Sequence, residues 1–199
     1  MVPTMRFGLA FAVSVAVLAA APALAADSSV TVGDDFFDPS STSVNPGDTV
    51  TWNWNGSNDH TVTTHRRQID KFESGIKSGT GASFAHVFRY PGRFRYFCQI
   101  HPDLMQATVT VGSDDGVAPK ITSLRARVSG SRVKLTFRVS ERSVVTAKVT
   151  RRKKVVRTFG PGKHSVKFKG LAAGRHKASL SAKDGFGHIG RKSKRFRTH

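Results

Sequence analysis

The sequence predicts an all-β protein built from two successive β-sandwiches, and three observations carry that expectation. Apolar residues recur at every second position along most of the chain, the spacing of half-buried strands. Turns rich in Pro and Gly separate these runs, and the N-terminal half has no long 3.6-residue apolar periodicity of the helical kind. The 199 residues allow one or two domains of ordinary size, and 38% hydrophobic residues with 14 Phe exclude a disordered polycation despite a net charge of +19. A single Cys excludes an internal disulfide framework and any all-thiolate zinc or iron-sulfur site within one chain.

The first 25 residues read as a signal peptide. Arg6 gives a short basic start, an apolar run follows from Phe7 to Ala21, and Ala23-Leu24-Ala25 offers the small residues a signal peptidase accepts, so cleavage is expected after Ala25. The run is shorter than the roughly 20 residues a spanning helix needs. The expected mature protein is exported, to the periplasm, the cell surface or the medium, with no transmembrane span.

From residue 26 the pattern turns to strands. Val50, Trp52 and Trp54 alternate with polar neighbours, as do Phe94, Tyr96 and Cys98, and then Val109 and Val111. Asn45-Pro46-Gly47-Asp48 and Tyr90-Pro91-Gly92 suit tight reversals between them. Residues 65–82 are polar and Gly-rich and predict a loop or a short helix. A stretch of linker composition, Gly112-Ser113-Asp114-Asp115-Gly116 ahead of Pro119, divides the chain into a first domain over 26–112, a linker over 113–119 and a second domain over 120–199.

Charge changes across the same boundary. Residues 27–116 hold 7 Lys and Arg against 11 Asp and Glu, whereas residues 117–199 hold 24 against 2, so the two units present different surfaces. In the basic half Val133, Leu135, Phe137 and Val139 share one face while Lys134, Thr136 and Arg138 take the other. Further beats at Val145, Ala147 and Val149, at Val166 and Phe168, and at Ala178, Leu180 and Ala182 predict about seven short strands in a sandwich.

The lone Cys belongs to the group with chemistry. An exported thiol is a hazard unless buried, paired or bound to metal. Cys98-Gln99-Ile100-His101-Pro102-Asp103-Leu104-Met105 places a thiolate, an imidazole and a thioether on one loop between two strands, and His60 follows an earlier strand. Thiolate and thioether favour Cu(I), imidazole accepts both oxidation states, and a His2Cys trigonal set with a long axial Met is the electron-transfer copper geometry. His65, in the polar loop, and His86, alternating within Phe84-Ala85-His86-Val87-Phe88, are left out of the ligand set. No nucleophile, base and orienting acid suggest hydrolysis, and the His content of this half is too small for a second copper cluster, so an enzyme is not expected.

Residues 29–111 resemble a cupredoxin of the plastocyanin and amicyanin kind. The resemblance rests on the Cys-x2-His-x3-Met loop together with Phe37-x-Pro39, Val44-x-x-Gly47-Asp48-x-Val50-x-Trp52-x-Trp54, Asp59-His60-Thr61-Val62-Thr63, Phe72-Glu73-Ser74-Gly75 and Gly92-x-Phe94-x-Tyr96-x-Cys98. It implies an antiparallel Greek-key sandwich holding one copper ion, with His60, Cys98 and His101 as equatorial ligands and Met105 as the weak axial one. Two departures stand out. Three residues separate His101 from Met105, where amicyanin-like loops have two and plastocyanin-like loops four. Thr61 replaces the Asn that in several blue copper families follows the first His and ties down the Cys loop.

The segment from Leu171 to Gly187 resembles the last strands of a bacterial immunoglobulin-like or fibronectin type III-like domain. The cations of residues 120–199, Arg151-Arg152-Lys153-Lys154 and Arg191-Lys192-Ser193-Lys194-Arg195 among them, predict a salt-sensitive association with an anionic cell-surface polymer or lipid headgroups. Nucleic acid is disfavoured, because neither aromatic stacking signatures nor a groove-reading helix is evident. The expected function is therefore that of an exported type 1 copper protein carrying single electrons between a donor and an acceptor. Capture, storage or delivery of copper, and structural adhesion, are the competing classes.

Overall fold

The computed structural model describes residues 27–199, so the expected leader lies outside the described residues. Those residues form fifteen strands and no helix. None of their segments is a helix long and apolar enough to cross a membrane.

Eight strands build the first sandwich: β1 (Asp27–Gly33), β2 (Phe36–Asp38), β3 (Ser41–Val44), β4 (Thr49–Trp54), β5 (Thr63–Thr64), β6 (Ser83–Val87), β7 (Gly92–Phe97) and β8 (Gln106–Val111). They lie in two sheets of order β2-β1-β4-β6 and β3-β8-β7-β5. The period-2 pattern sends Val30, Val32, Val50, Trp52 and Trp54 inward from the first sheet and Phe94, Tyr96, Val109 and Val111 from the second, all buried. Trp52 sits at the centre, its ring 5.2 Å from Phe72, 5.3 Å from Tyr96 and 5.7 Å from Phe84. Burial pushes the Tyr96 phenol up to about 12, against a smaller opposing effect from the Trp52 indole, so the core holds no phenolate near neutral pH.

One feature differs from the sequence-based picture, and a second decides between two expectations. The sandwich is not wholly antiparallel, because β1 pairs with β4 and β3 with β8 in parallel. Alternation fixes which face a residue takes, not the direction of its neighbour. The chain leaves the first sheet through β2, joins the second at β3 and returns at β4, which supplies the crossover a parallel pair needs. The polar stretch 65–82 contains no helix. It is irregular chain that turns Ile69 and Phe72 into the core and is tied to the preceding segment by backbone bridges of Glu73 to Thr63 and Lys77 to His60.

The second sandwich has seven strands, β9 (Ile121–Ser129), β10 (Arg132–Val139), β11 (Ser143–Val149), β12 (Val155–Phe159), β13 (Gly162–Phe168), β14 (Gly174–Lys183) and β15 (Ile189–Thr198). Sheets of order β13-β10-β9 and β12-β11-β14-β15, all antiparallel, enclose Leu135, Phe137, Ala147, Val149 and Leu180.

The sandwiches meet closely. The Arg93 N–H donates to Gly185 O at 2.9 Å, and a Cβ on Gly185 would stand 2.7 Å from the Gly92 Cα, so side chains are excluded there. Arg142 Nε donates to Ile69 O at 3.0 Å while its guanidinium lies 4.0 Å above the Tyr90 ring, and Val144 joins the first core. Residues 112–120 carry no strand. They are fastened at His188, whose Nδ1 lies 3.0 Å from Asp184 Oδ2 and whose Nε2 lies 3.5 Å from Asp114 Oδ1.

The Asp184 hydrogen bond, reinforced by the charges of Asp114 and Asp115 and only partly opposed by desolvation, raises the His188 pKa above the usual histidine value. The folded state then binds the proton more tightly than the unfolded state, whose His titrates near the ordinary value of about 6.5. This contribution to stability is complete below that pH and is lost as pH rises through the raised folded value. Thermal unfolding followed from pH 6 upward should show a Tm component that declines through neutrality, and His188→Gln should abolish that component.

Candidate metal centre

Four side chains singled out by the sequence converge on one end of the first sandwich, and two chain segments bring them there. Cys98 follows the last residue of β7 and Met105 precedes β8. Between them the loop closes on itself: the Cys98 N–H donates to Met105 O at 3.0 Å, and the Met105 N–H donates to His101 O at 3.0 Å. Gln106 Nε2 adds a bond to Pro102 O at 2.9 Å. Three residues between His101 and Met105 therefore fit a single reversal. His60 lies on the connection between β4 and β5, held by a reciprocal backbone pair with Lys77 at 2.9 and 3.0 Å.

The donor atoms form a compact triangle. Cys98 Sγ lies 3.8 Å from His60 Nδ1 and 3.9 Å from His101 Nδ1, and the two nitrogens are 3.3 Å apart. The circle through these three atoms has a radius of about 2.1 Å, the length of an ordinary first-row metal–nitrogen bond and slightly below that of a metal–thiolate bond. One ion fits among them. His60 and Cys98 are fully buried, Met105 is buried beside them in the core cluster, and the His101 side chain is 29% exposed. Two imidazoles, a thiolate and a nearby thioether are a donor set suited to copper.

Surrounding groups prepare these donors. His60 Nε2 is buried with no hydrogen-bond partner, and the nearest carboxylate oxygen, Asp34 Oδ1, stands 3.6 Å away. A proton kept on Nε2, facing that carboxylate, leaves Nδ1 as a free donor on the side of Cys98. The Asn58 N–H, donating to Asp34 Oδ1 at 3.0 Å, holds the Asp34 carboxyl below the usual carboxylate range. Asp35 Oδ1 lies 3.5 Å from His101 Nδ1. The sequence reading missed both aspartates, since Gly33-Asp34-Asp35 looks like any polar turn.

Thr61 supplies the tie that the sequence left open. Its N–H donates to Cys98 Sγ at 3.3 Å, and its hydroxyl accepts the Gln99 N–H at 2.8 Å. The Thr63 hydroxyl donates to Thr61 Oγ1 at 3.1 Å. The Gln99 amide in turn reaches Thr63 Oγ1 at 2.9 Å and Glu73 Oε1 at 2.8 Å. The hydroxyl thus does mechanically what a side-chain amide would do, with Gln99 and Glu73 extending the network. His65 and His86 stand apart: His65 packs against Phe97 with ring centroids 4.6 Å apart and planes tilted by 31°, and His86 Nε2 lies 3.2 Å from Asp70 Oδ2.

Residues 25–112 match the family model of the copper binding proteins, plastocyanin/azurin family. Solved structures similar to this chain include a purple cupredoxin from Nitrosopumilus maritimus, at 26% identity over 43% of this chain and 99% of that one, with a TM-score of 0.38. An oxidised mutant amicyanin shares 21% identity over 43% of this chain and 81% of its own, with a TM-score of 0.40. A reduced Cu(I) amicyanin mutant at pH 4 shares 20% identity over 46% and 87%, with a TM-score of 0.40.

Replacing Thr61 by Val keeps the backbone N–H to Cys98 Sγ but leaves the Gln99 N–H without its acceptor. Loss of that partly buried bond should lower metal-free stability by about 1–3 kcal/mol in denaturant unfolding. Thr61→Ser, which keeps the hydroxyl, should recover most of the loss.

Proposed function

We propose, from a first domain that matches the plastocyanin/azurin copper-binding family, that this protein is an exported carrier of single electrons. The observation that carries the reading is the His60–Cys98–His101 triangle, whose centre lies at about bond length from both imidazole nitrogens and close to it from the sulfur. Bound there, copper supplies a one-electron Cu(I)/Cu(II) couple. His60, Cys98 and His101 would hold it, with the Met105 thioether as a further, weaker donor.

The chain's own part is to keep those donors still. Buried in the sandwich end and tied through Thr61, Gln99 and the Cys98–Met105 backbone pair, they are prevented from following the different geometric preferences of the two oxidation states. The Thr61 N–H to Sγ stabilises charge on the thiolate. Burial of His60, Cys98 and Met105 excludes water from the donor side. His101, the one partly exposed donor, is flanked in its loop by the exposed side chains of Ile100 and Leu104, an apolar rim against which a redox partner can seat. No bond is made or broken in a substrate, so the role proposed is that of a carrier and not an enzyme. The basic sandwich would hold the carrier at an anionic surface or partner.

Adding Cu(II) to the signal-free protein should give an intense blue thiolate-to-copper band. Cys98→Ala should abolish it, and Met105→Ala should keep it with an altered electron paramagnetic resonance spectrum. The metal should then stay bound through repeated reduction and reoxidation. Release of Cu(I) to a competing acceptor on reduction would mark a delivery protein instead, and a colourless or ordinary cupric spectrum would remove the electron-transfer reading.

A further inference from the structure

The cations of the second sandwich are arranged across the outer face of the β13-β10-β9 sheet in rungs set by strand register. Lys134 lies directly opposite both Arg127 and Lys167. Two residues along the same face, Thr136 lies opposite Arg125 and Ser165, and two further on Arg138 lies opposite Lys163. All six cations are exposed. Like charges directly opposite one another in an antiparallel pair destabilise a sheet, and here a whole rung has one sign.

Nothing in the domain neutralises them. Residues 117–199 contain only two acids, Glu141 and Asp184. Asp184 is engaged by the Gly187 and His188 N–H groups, which it accepts at 2.6 and 2.9 Å, and Glu141 is close enough for that carboxylate to raise its pKa, after the larger effect of its own desolvation. Among the described residues, neither of these two acids pairs with a lysine or arginine; Asp184 faces His188 instead.

The face is also shaped. A bulge in β9 sets Ser123 and Leu124 against the single residue Phe137, with Ser123 at φ 52°, so that Ile121 and Leu124 both point inward while Ser123 and Arg125 stay outside. The result is a groove of about 360 Å³ lined by Arg125, Arg127, Lys134, Arg138 and Lys163, with the hydroxyls of Ser123 and Thr136 between them.

We propose that this groove binds a linear phosphodiester polymer that carries no bases. Guanidinium forks take phosphate oxygens in pairs, and the hydroxyls add neutral donors between charged rungs. Rungs repeat along the strands every ~6.7 Å and neighbouring strands lie ~4.8 Å apart within a rung, so cations can meet successive phosphates of an extended chain. Phe137, the one aromatic residue at the groove, is 1% exposed and offers no ring for stacking a base. The proposal deepens the surface association suggested above and is independent of copper, so its failure leaves the metal reading intact.

The test uses the full signal-free chain and a fluorescent poly(glycerol phosphate) oligomer of about ten repeats. Neutralising the groove with Arg127→Gln, Lys134→Gln and Arg138→Gln should weaken binding at least tenfold at 100 mM salt and reduce the slope of log K against log[salt] by about two. The charge-matched set Lys177→Gln, Arg191→Gln and Arg195→Gln, on the other sheet, should weaken it less than threefold. Because the first set relieves like-charge rungs, its Tm should be no lower than that of the parent. Equal weakening by both sets would reduce the groove to diffuse charge and overturn the proposal. So would an absence of binding at 50 mM salt, equal competition by polyglutamate of the same charge, or tighter binding to single-stranded DNA or to phosphatidylglycerol vesicles.

Discussion

The metal-donor end of this molecule depends on a short knot between two segments that are far apart in sequence. Thr61 touches the Cys98 sulfur with its N–H and the Gln99 N–H with its hydroxyl, joining the connection that bears His60 to the loop that bears the other donors. Beside it, the Gln99 amide bond to Thr63 Oγ1 and the sheet pairing of Thr63 with Phe97 relate the same two segments. A sheet fixes the positions of strands well, but loops that extend past strand ends need bonds of their own. The hydroxyl, the Gln99 amide and Glu73 supply those bonds as a chain, so each anchor is itself anchored.

The hydrophobic interior supports this knot from below. Trp52 contacts aromatic rings contributed by β6, β7 and the irregular stretch 65–82, so one side chain registers three separate parts of the sandwich against each other. Phe72 is the least predictable of these contacts, since it arrives from polar chain with no strand of its own. Its burial brings Glu73 and Ser74 to the His60 segment, where the Thr63 bridge and the Ser74 hydroxyl bond to the Val62 N–H complete the attachment.

How much of this is legible in the sequence follows from the range of each interaction. Long alternating runs such as Trp52 to Trp54 or Val133 to Val139 declare their strands, because period-2 burial repeats within one short window. β2 and β5, with three and two residues, contain too little alternation to show, and parallel pairing leaves no mark on a single strand. The loop from Cys98 to Met105 is readable because three donor types share eight positions. Asp34, Asp35 and the Thr61 network are not, since their partners lie 24 to 38 residues away or more and any polar turn would look the same. The cationic groove is intermediate: alternation places its charges outward, while only register and the bulge at Ser123 place them opposite one another.

The Gly92–Gly185 contact has a consequence for how the molecule moves in solution. Two sandwiches on a flexible tether would reorient separately, each with the correlation time of a small domain. Here backbone meets backbone with no side chain between them, a guanidinium covers the neighbouring ring, and the tether itself is fastened at His188. The described residues therefore tumble as one body, and a rotation of one sandwich carries the other with it.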